Sequence, residues 1–172
     1  MPFARRSRKP WDNVGTKRKG LKAVRALARR LRQKGRRIVF TNGCFDLIHP
    51  GHIQILTRAH ALGDYLIVGL NSDKSVRRLK GPSRPFISQQ GRSQMLEALE
   101  CVDCVVIFDA PTPEALIRAI HPDVLVKGAD WTKGEIAGGD FVASYGGKIA
   151  RVPLVKGQSS TRLIRLLKNN VT

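Results

Sequence analysis

A chain of 172 residues with 42% hydrophobic residues is expected to fold as one soluble domain, because no apolar run approaches the roughly 20 residues that a membrane helix needs. Three cysteines and no apolar leader argue against a disulfide framework and favour a cytoplasmic protein. The net charge of +18 suggests nucleic-acid binding, but residues 1–37 hold 15 Lys and Arg against one acid, so they alone carry +14.

The basic N-terminal segment shows no apolar periodicity, so residues 1–17 are predicted to be a flexible arm before one domain at 18–172. Such an arm attracts polyanions, including RNA and anionic lipid, or simply stays solvated. Phe3 and Trp11 are its only aromatic residues, which is too few for a base-stacking platform. A nucleic-acid-binding protein is therefore the distant alternative for the function.

Helical and strand patterns then alternate along the chain. Apolar residues at helical spacing predict an amphipathic helix from Lys19 to Gln33, and the strand RIVFT is followed by a glycine loop and a helix at 51–61. The later segments alternate in the same way: YLIVGLN, SQMLEALE, VDCVVIF, TPEALIRAI, DVLVKG, EIAGGDFVASY, KIARVPL and STRLIRLLK. This order predicts an α/β, Rossmann-like fold with a parallel sheet of about five strands and helices on both faces.

Ligands of such sheets bind outside the carboxyl ends of the strands, near the point where strand order reverses. The segment TNGCFDLIHPGH follows the first strand and places His49 and His52 on either side of Pro50 and Gly51, where a helix begins. A glycine allows a phosphate to approach the backbone, and the helix N-terminus favours an anion. Two imidazoles at this spacing fit phosphate chemistry; alone they equally fit metal ligands or ordinary helix-start residues.

The remaining cysteines and histidines carry weaker signals. Cys101 and Cys104 form a single C-x-x-C, which without a second ligand pair indicates packing at a helix–strand junction rather than a zinc site. His60 and His121 have no motif around them and are interpreted as structural. Core positions are predicted at Leu96, Leu99, Val105 and Val106.

TNGCFD followed by HPGH resembles the cytidylyltransferase-like family of nucleotidyltransferases, whose signature is HxGH. Further blocks resemble the members that make ADP-heptose from heptose 1-phosphate: NSDKSVRRLKGPSRP, GRSQMLEALECVD, DVLVKGADW and GQSSTRLI. The resemblance runs from about residue 20 to 168. It is strongest to the adenylyltransferase half of a bifunctional kinase/adenylyltransferase, and no kinase half is expected here.

The resemblance implies transfer of AMP from ATP to D-glycero-D-manno-heptose 1-phosphate, giving ADP-heptose and pyrophosphate for the lipopolysaccharide core. The implied catalytic residues are His49, His52 and Lys127. The implied nucleotide-binding residues are Asn42, Gly43, Cys44, Phe45, Gly51, Gly128, Asp130, Ser159, Ser160 and Thr161. The implied residues around the substrate phosphate are Asp46, Arg78, Lys80, Arg84 and Arg92, where Asp46 serves as a loop cap as readily as a functional carboxylate.

The chemistry sets the expected cofactor and partners. Magnesium is expected to arrive with ATP, held by phosphates and water and by no dedicated protein ligands. A separate heptose kinase is expected to supply the sugar phosphate, and a homodimer is compatible with the sequence. The nearest alternative function is a cytidylyltransferase acting on glycerol 3-phosphate or a similar polyol phosphate, because HxGH specifies nucleotidyl transfer and not the acceptor.

Overall fold

The computed structural model describes residues 17–129, residues 136–153 and Ile164. The predicted arm up to residue 16, Asp130, the serine–threonine motif at 159–161 and most of the predicted last helix lie outside these residues. The domain boundaries inferred from the sequence therefore stay predictions.

The described residues form one sheet of five parallel strands, which confirms the predicted fold class. The strand order is β3-β2-β1-β4-β5. All five strands fall on the segments predicted from the sequence. Their bounds are β1 Ile38–Gly43, β2 Tyr65–Asn71, β3 Cys104–Phe108, β4 Val124–Gly128 and β5 Lys148–Val152.

The central strands read as continuous apolar runs because both faces of the sheet are covered. Successive residues point to opposite faces, so Ile38 and Phe40 enter one core cluster while Val39 enters the other. Cys104 packs in the first cluster and Cys101 against the second, so the two thiols contact different cores. This geometry matches the packing interpretation of the C-x-x-C.

Six helices are described around this sheet: α1 Leu21–Gln33, α2 Pro50–His60, α3 Asp73–Lys80, α4 Gln89–Ala98, α5 Glu114–Ile120 and α6 Gly139–Ser144. Buried residues of α1, α5 and α6 belong to the first core cluster, and those of α2 and α4 to the second. Leu96, Val105 and Val106 are buried as predicted, and Leu99 packs against the second cluster. No described helix is both long and apolar enough to cross a membrane.

Helix α3 is the element that the sequence pattern missed. Val76 and Leu79 are its only apolar residues, and Leu79 is 51% exposed, so the segment is too short and too polar for an apolar pattern to predict the helix. A serine cap starts the helix instead, because the Ser72 hydroxyl accepts a hydrogen bond from the N–H of Ser75 at 3.0 Å. A similar cap at Ser88 starts α4 at Gln89, four residues before the predicted start.

Strand order reverses between β1 and β4. The chain passes from β1 to β2 on one side, and β4 later pairs with β1 on the other, in the register Val39 with Val124 and Phe40 with Leu125. Ligands of doubly wound sheets bind at the carboxyl ends of strands beside this reversal. The end of β1, the end of β4 and the start of α2 meet there.

Candidate active site

The loop after β1 is held in a strained shape by an aromatic ring. Phe45 has φ 46°, a left-handed conformation that non-glycine residues rarely adopt, and its side chain is buried. The Phe45 ring covers Gly43 so closely that a Cβ on Gly43 would lie 3.1 Å from it. A side chain at position 43 would crowd this ring, which explains the glycine there. Phe45 itself packs in the second core cluster and so anchors the loop.

The two histidines of HPGH stand together at the start of α2. His49 is the N-cap residue in an extended conformation, and Pro50 occupies the first helical position, where its fixed φ favours a helix start. The His49 and His52 ring centroids lie 3.9 Å apart, and the Phe45 ring lies 5.2 Å from His52. Both Nδ1 atoms are buried without a hydrogen-bond partner among the described residues. Paired imidazoles with unused polar atoms at a helix N-terminus form a site for an anion.

The surroundings of both histidines favour the neutral imidazole. Burial lowers the pKa of His49 from its ordinary value. For His52, burial first and the neighbouring His49 second lower the pKa to about 4, against an opposing backbone hydrogen bond at Leu47. Neutral imidazoles still donate hydrogen bonds through one ring nitrogen, and two neutral rings side by side avoid charge repulsion.

The pKa of His52 makes stability pH-dependent. The pKa of His52 is near 4 in the folded protein and near 6.5 in the unfolded chain, so between these pH values only the unfolded chain gains a proton. The contribution of His52 to stability is therefore complete above about pH 6.5 and is lost toward pH 4. We expect the free energy of unfolding to fall less steeply over this window in a His52→Gln variant than in wild type. Urea denaturation at several pH values measures both slopes, and equal slopes would contradict this assignment.

A lysine and an asparagine bridge the strand-order reversal. Lys127 lies in β4 and Asn42 in β1, and Lys127 Nζ donates to Asn42 Oδ1 at 2.5 Å. Thr41 Oγ1 also donates to the carbonyl of Val126 at 3.0 Å. Lys127 is nearly buried, which strengthens its field on any charge beside it. The structure therefore places together two residues that the sequence had assigned separately, to catalysis and to nucleotide binding.

Asp46 anchors the neighbouring loop, and this corrects its assignment to the phosphate group of residues. Its buried carboxylate accepts hydrogen bonds from Arg84 Nε at 2.5 Å and from the N–H groups of Phe86 and Ile87 at 2.8 and 3.1 Å. Three donors occupy the two oxygens, so the carboxylate supports the loop cap that was the alternative interpretation. It also places Arg84 next to the loop that contains Cys44.

Arg92 is buried, and this corrects its assignment as a phosphate ligand. Its guanidinium donates to the carbonyls of Ile87 at 2.9 Å, Cys44 at 2.5 Å and Asn71 at 2.8 Å, and it pairs with Asp73 Oδ1 at 2.7 Å. The side chain is fully inaccessible to solvent. Arg92 therefore ties the ends of β1 and β2 to the starts of α3 and α4, and we assign it a positioning role.

Asp73 is the functional partner that sequence reasoning missed. Asp73 follows Asn71 and Ser72 at the end of β2, and it is the first residue of α3. Its carboxylate pairs with the guanidinium of Arg92. A cap-forming triplet at a strand end was the available signal.

The other predicted cations divide into two groups. The Arg78 guanidinium donates to the carbonyl and carboxylate of Asp109, which follows β3. Lys80 and Arg84 lie near the loop after β1, since their charges act on the Cys44 thiol in that loop. Burial raises the pKa of this thiol, and the charges of Lys80, Arg92 and Arg84 oppose that rise. Lys80 and Arg84 thus remain the candidates for a substrate phosphate.

The remaining predicted positions are two glycines and two histidines. Gly51 is buried in the first turn of α2, and Gly128 ends β4. His60 lies at the far end of α2, 3.3 Å from Asp103, and His121 stacks on Tyr145 with ring centroids 3.6 Å apart. The interpretation of these two histidines as structural fits both contacts.

The described residues do not provide a cage for magnesium. They contain no group of three or more His, Cys, Asp or Glu side chains arranged to hold a metal ion. The oxygens of Asp46 are already taken by Arg84 and two backbone donors. The protein groups described at this site do not fit a dedicated metal.

Comparison with known proteins gives one matching family and many relatives. The pattern of the cytidylyltransferase-like family matches residues 40–163. Bifunctional protein HldE of Syntrophotalea carbinolica is 55% identical over 133 residues, which are 77% of this chain and 27% of that protein. Bifunctional protein HldE of Geotalea uraniireducens is 50% identical over 150 residues, 87% of this chain and 31% of that protein. The chain thus spans less than a third of the length of these curated relatives.

A solved structure shares the fold. The crystal structure of the lipopolysaccharide core biosynthesis protein from Thermoplasma volcanium matches with a TM-score of 0.59 at 25% identity. The match covers 72% of this chain and all of that one.

Proposed function

Because the chain belongs to the cytidylyltransferase-like family, we propose that it transfers AMP from ATP to D-glycero-D-manno-heptose 1-phosphate, giving ADP-heptose and pyrophosphate. The identity of 50–55% to proteins named HldE supports a sugar-phosphate acceptor, and so does the structural likeness to a lipopolysaccharide core biosynthesis protein. Magnesium accompanying ATP, a separate heptose kinase, a cytoplasmic location and a homodimer belong to the same proposal.

The observation that carries the proposal is the His49–His52 pair at the start of α2, next to the reversal that Asn42 and Lys127 bridge. Unused imidazole atoms, a helix N-terminus and a nearly buried ammonium group converge on the carboxyl edge of the sheet. This arrangement offers one positive charge and several hydrogen-bond donors to the oxygens of a triphosphate.

The proposed reaction is an in-line displacement. A phosphate oxygen of the sugar phosphate attacks the α-phosphorus of ATP, the new oxygen–phosphorus bond forms, and the bond to the β-phosphate oxygen breaks, releasing pyrophosphate. The nucleophile is already ionised at neutral pH, so no strong general base is required. The contribution of the protein is positioning and charge stabilisation, which together dominate phosphoryl and nucleotidyl transfer.

Each group has a proposed part in this step. His49 and His52 donate hydrogen bonds to phosphate oxygens that gain charge, and Lys127 stabilises the same charge from β4. Lys80 and Arg84 hold the acceptor phosphate. The loop of Gly43, Cys44 and Phe45, together with Gly51 and Gly128, borders the nucleotide. Asp130, Ser159, Ser160 and Thr161 keep their proposed nucleotide contacts from the sequence resemblance.

A pyrophosphate-release assay that crosses ATP and CTP with heptose 1-phosphate and glycerol 3-phosphate tests the proposal. We expect turnover with ATP and heptose 1-phosphate, and at least tenfold lower kcat/KM for each other combination. Turnover with CTP and glycerol 3-phosphate alone would replace the heptose assignment by the cytidylyltransferase alternative. Absence of pyrophosphate release on every sugar phosphate, with tight nucleic-acid binding at physiological salt, would favour the nucleic-acid alternative.

A further inference from the structure

The exposed side of α1 carries a row of cations without acidic neighbours. Lys22, Arg25 and Arg29 recur three and four residues apart, so they share one side of the helix, and all three are exposed. We call these three residues the cationic face. α1 contains no Asp or Glu, and none of the ion pairs found in the described parts of the chain involves the cationic face.

The helix is fixed firmly enough to present this face. Val24 and Ala28 are fully buried in the first core cluster, and Arg32 donates to the carbonyl of Ile120 at 2.5 Å. The residues before α1 also pair with β3 at the edge of the sheet. The Lys19 N–H donates to the Val105 carbonyl at 2.9 Å, and the Val105 N–H donates to the Lys17 carbonyl at 3.1 Å. The cationic face is therefore part of the folded domain.

Charge repulsion within this face is not offset by any ion pair among residues 17–129 and 136–153, which favours an anionic partner. Like charges one helical turn apart destabilise a helix by a few tenths of a kcal/mol per pair. The sequence before α1 adds cations at Arg5, Arg6, Arg8 and Lys9. The local excess of positive charge therefore continues toward the N-terminus.

The shape and composition of the face favour a lipid surface over a nucleic acid. α1 packs along its length on the sheet and α5, so it does not protrude into a duplex groove, and it contains no aromatic residue for stacking on bases. Leu21 is 53% exposed and lies one turn before Arg25 on the same side. An exposed leucine beside arginines suits the boundary between lipid headgroups and acyl chains.

We propose that the cationic face of α1, with Leu21, docks this protein onto an anionic phospholipid bilayer. α1 lies against a face of the sheet, whereas the candidate active site lies at the carboxyl ends of the strands. Docking therefore leaves that site open to soluble substrates. The proposal is independent of which acceptor the site uses.

Vesicle co-sedimentation of the full chain tests this proposal. The probes are vesicles of phosphatidylcholine mixed with phosphatidylglycerol, and vesicles of phosphatidylcholine alone. We expect binding only to the anionic vesicles, lost at about 1 M salt, where the screening length is about 3 Å. The variant Lys22→Gln/Arg25→Gln/Arg29→Gln should bind them roughly 100-fold more weakly, at the usual contribution of each surface cation.

A matched control removes the same charge elsewhere. Arg58, Arg77 and Lys148 are exposed on α2, α3 and β5, and their triple replacement by Gln is expected to weaken binding only a few-fold. Equal losses in both triple variants, or none in the α1 variant, would overturn the proposal. So would tighter binding to duplex RNA than to anionic vesicles. Circular dichroism checks the fold of each variant.

Discussion

Replacement of His49 or His52 by Ala is expected to lower the kcat of pyrophosphate release about 100-fold or more, because in the proposed reaction each imidazole is a preorganised donor to the triphosphate. The loss should fall on kcat more than on KM, since the charge that these donors stabilise develops in the transition state. Steady-state kinetics with ATP and heptose 1-phosphate give both parameters.

His60 offers a matched control on the same helix. Its side chain is 41% exposed at the opposite end of α2, next to Asp103 and away from the carboxyl edge. The His60→Ala variant should keep turnover within about twofold of wild type. Near-normal kcat in folded His49→Ala and His52→Ala proteins would show that the pair does not stabilise the transition state.

The Arg92→Gln substitution is expected to lower the free energy of unfolding by about 3 kcal/mol. Breaking a buried ion pair costs about 3–5 kcal/mol, and the lower end applies because the Asp73 side chain is 25% exposed and retains some hydration. The substitution also removes hydrogen bonds to the carbonyls of Cys44 and Asn71, which hold the loops around the histidines. Equilibrium urea denaturation measures the change.

Two further variants separate this effect from loss of a positive charge. Arg77 is exposed on α3, and Arg77→Gln should change stability by no more than about 0.5 kcal/mol. Arg92→Lys keeps the charge but loses the planar fork, so an intermediate loss is expected. A stability change in Arg92→Gln no larger than in Arg77→Gln would contradict the positioning role that we assign to Arg92.

The same network shows what a sequence leaves open. His49, Gly51 and His52 carry their chemistry in their spacing, because a helix start fixes their relative positions locally. The family resemblance implied that Arg92 and Asp46 lie around the substrate phosphate, with a loop cap as the alternative for Asp46. Except for the carbonyl of Ile87, the partners of Arg92 lie 19 to 48 positions away, and those of Asp46 lie 38 to 41 positions away, so only folding decides whether a charge faces a ligand or a neighbouring loop.

By itself, the sequence determined the five strands, the parallel α/β architecture, the position of the histidine pair and the family resemblance, because apolar runs and short motifs depend on local order. The tertiary structure decided the strand order, the contact between Lys127 and Asn42, and the burial of Arg92 and Asp46. The physical reason is the same in each case. Long-range pairing and desolvation set these features, and neither leaves a periodic trace along the chain.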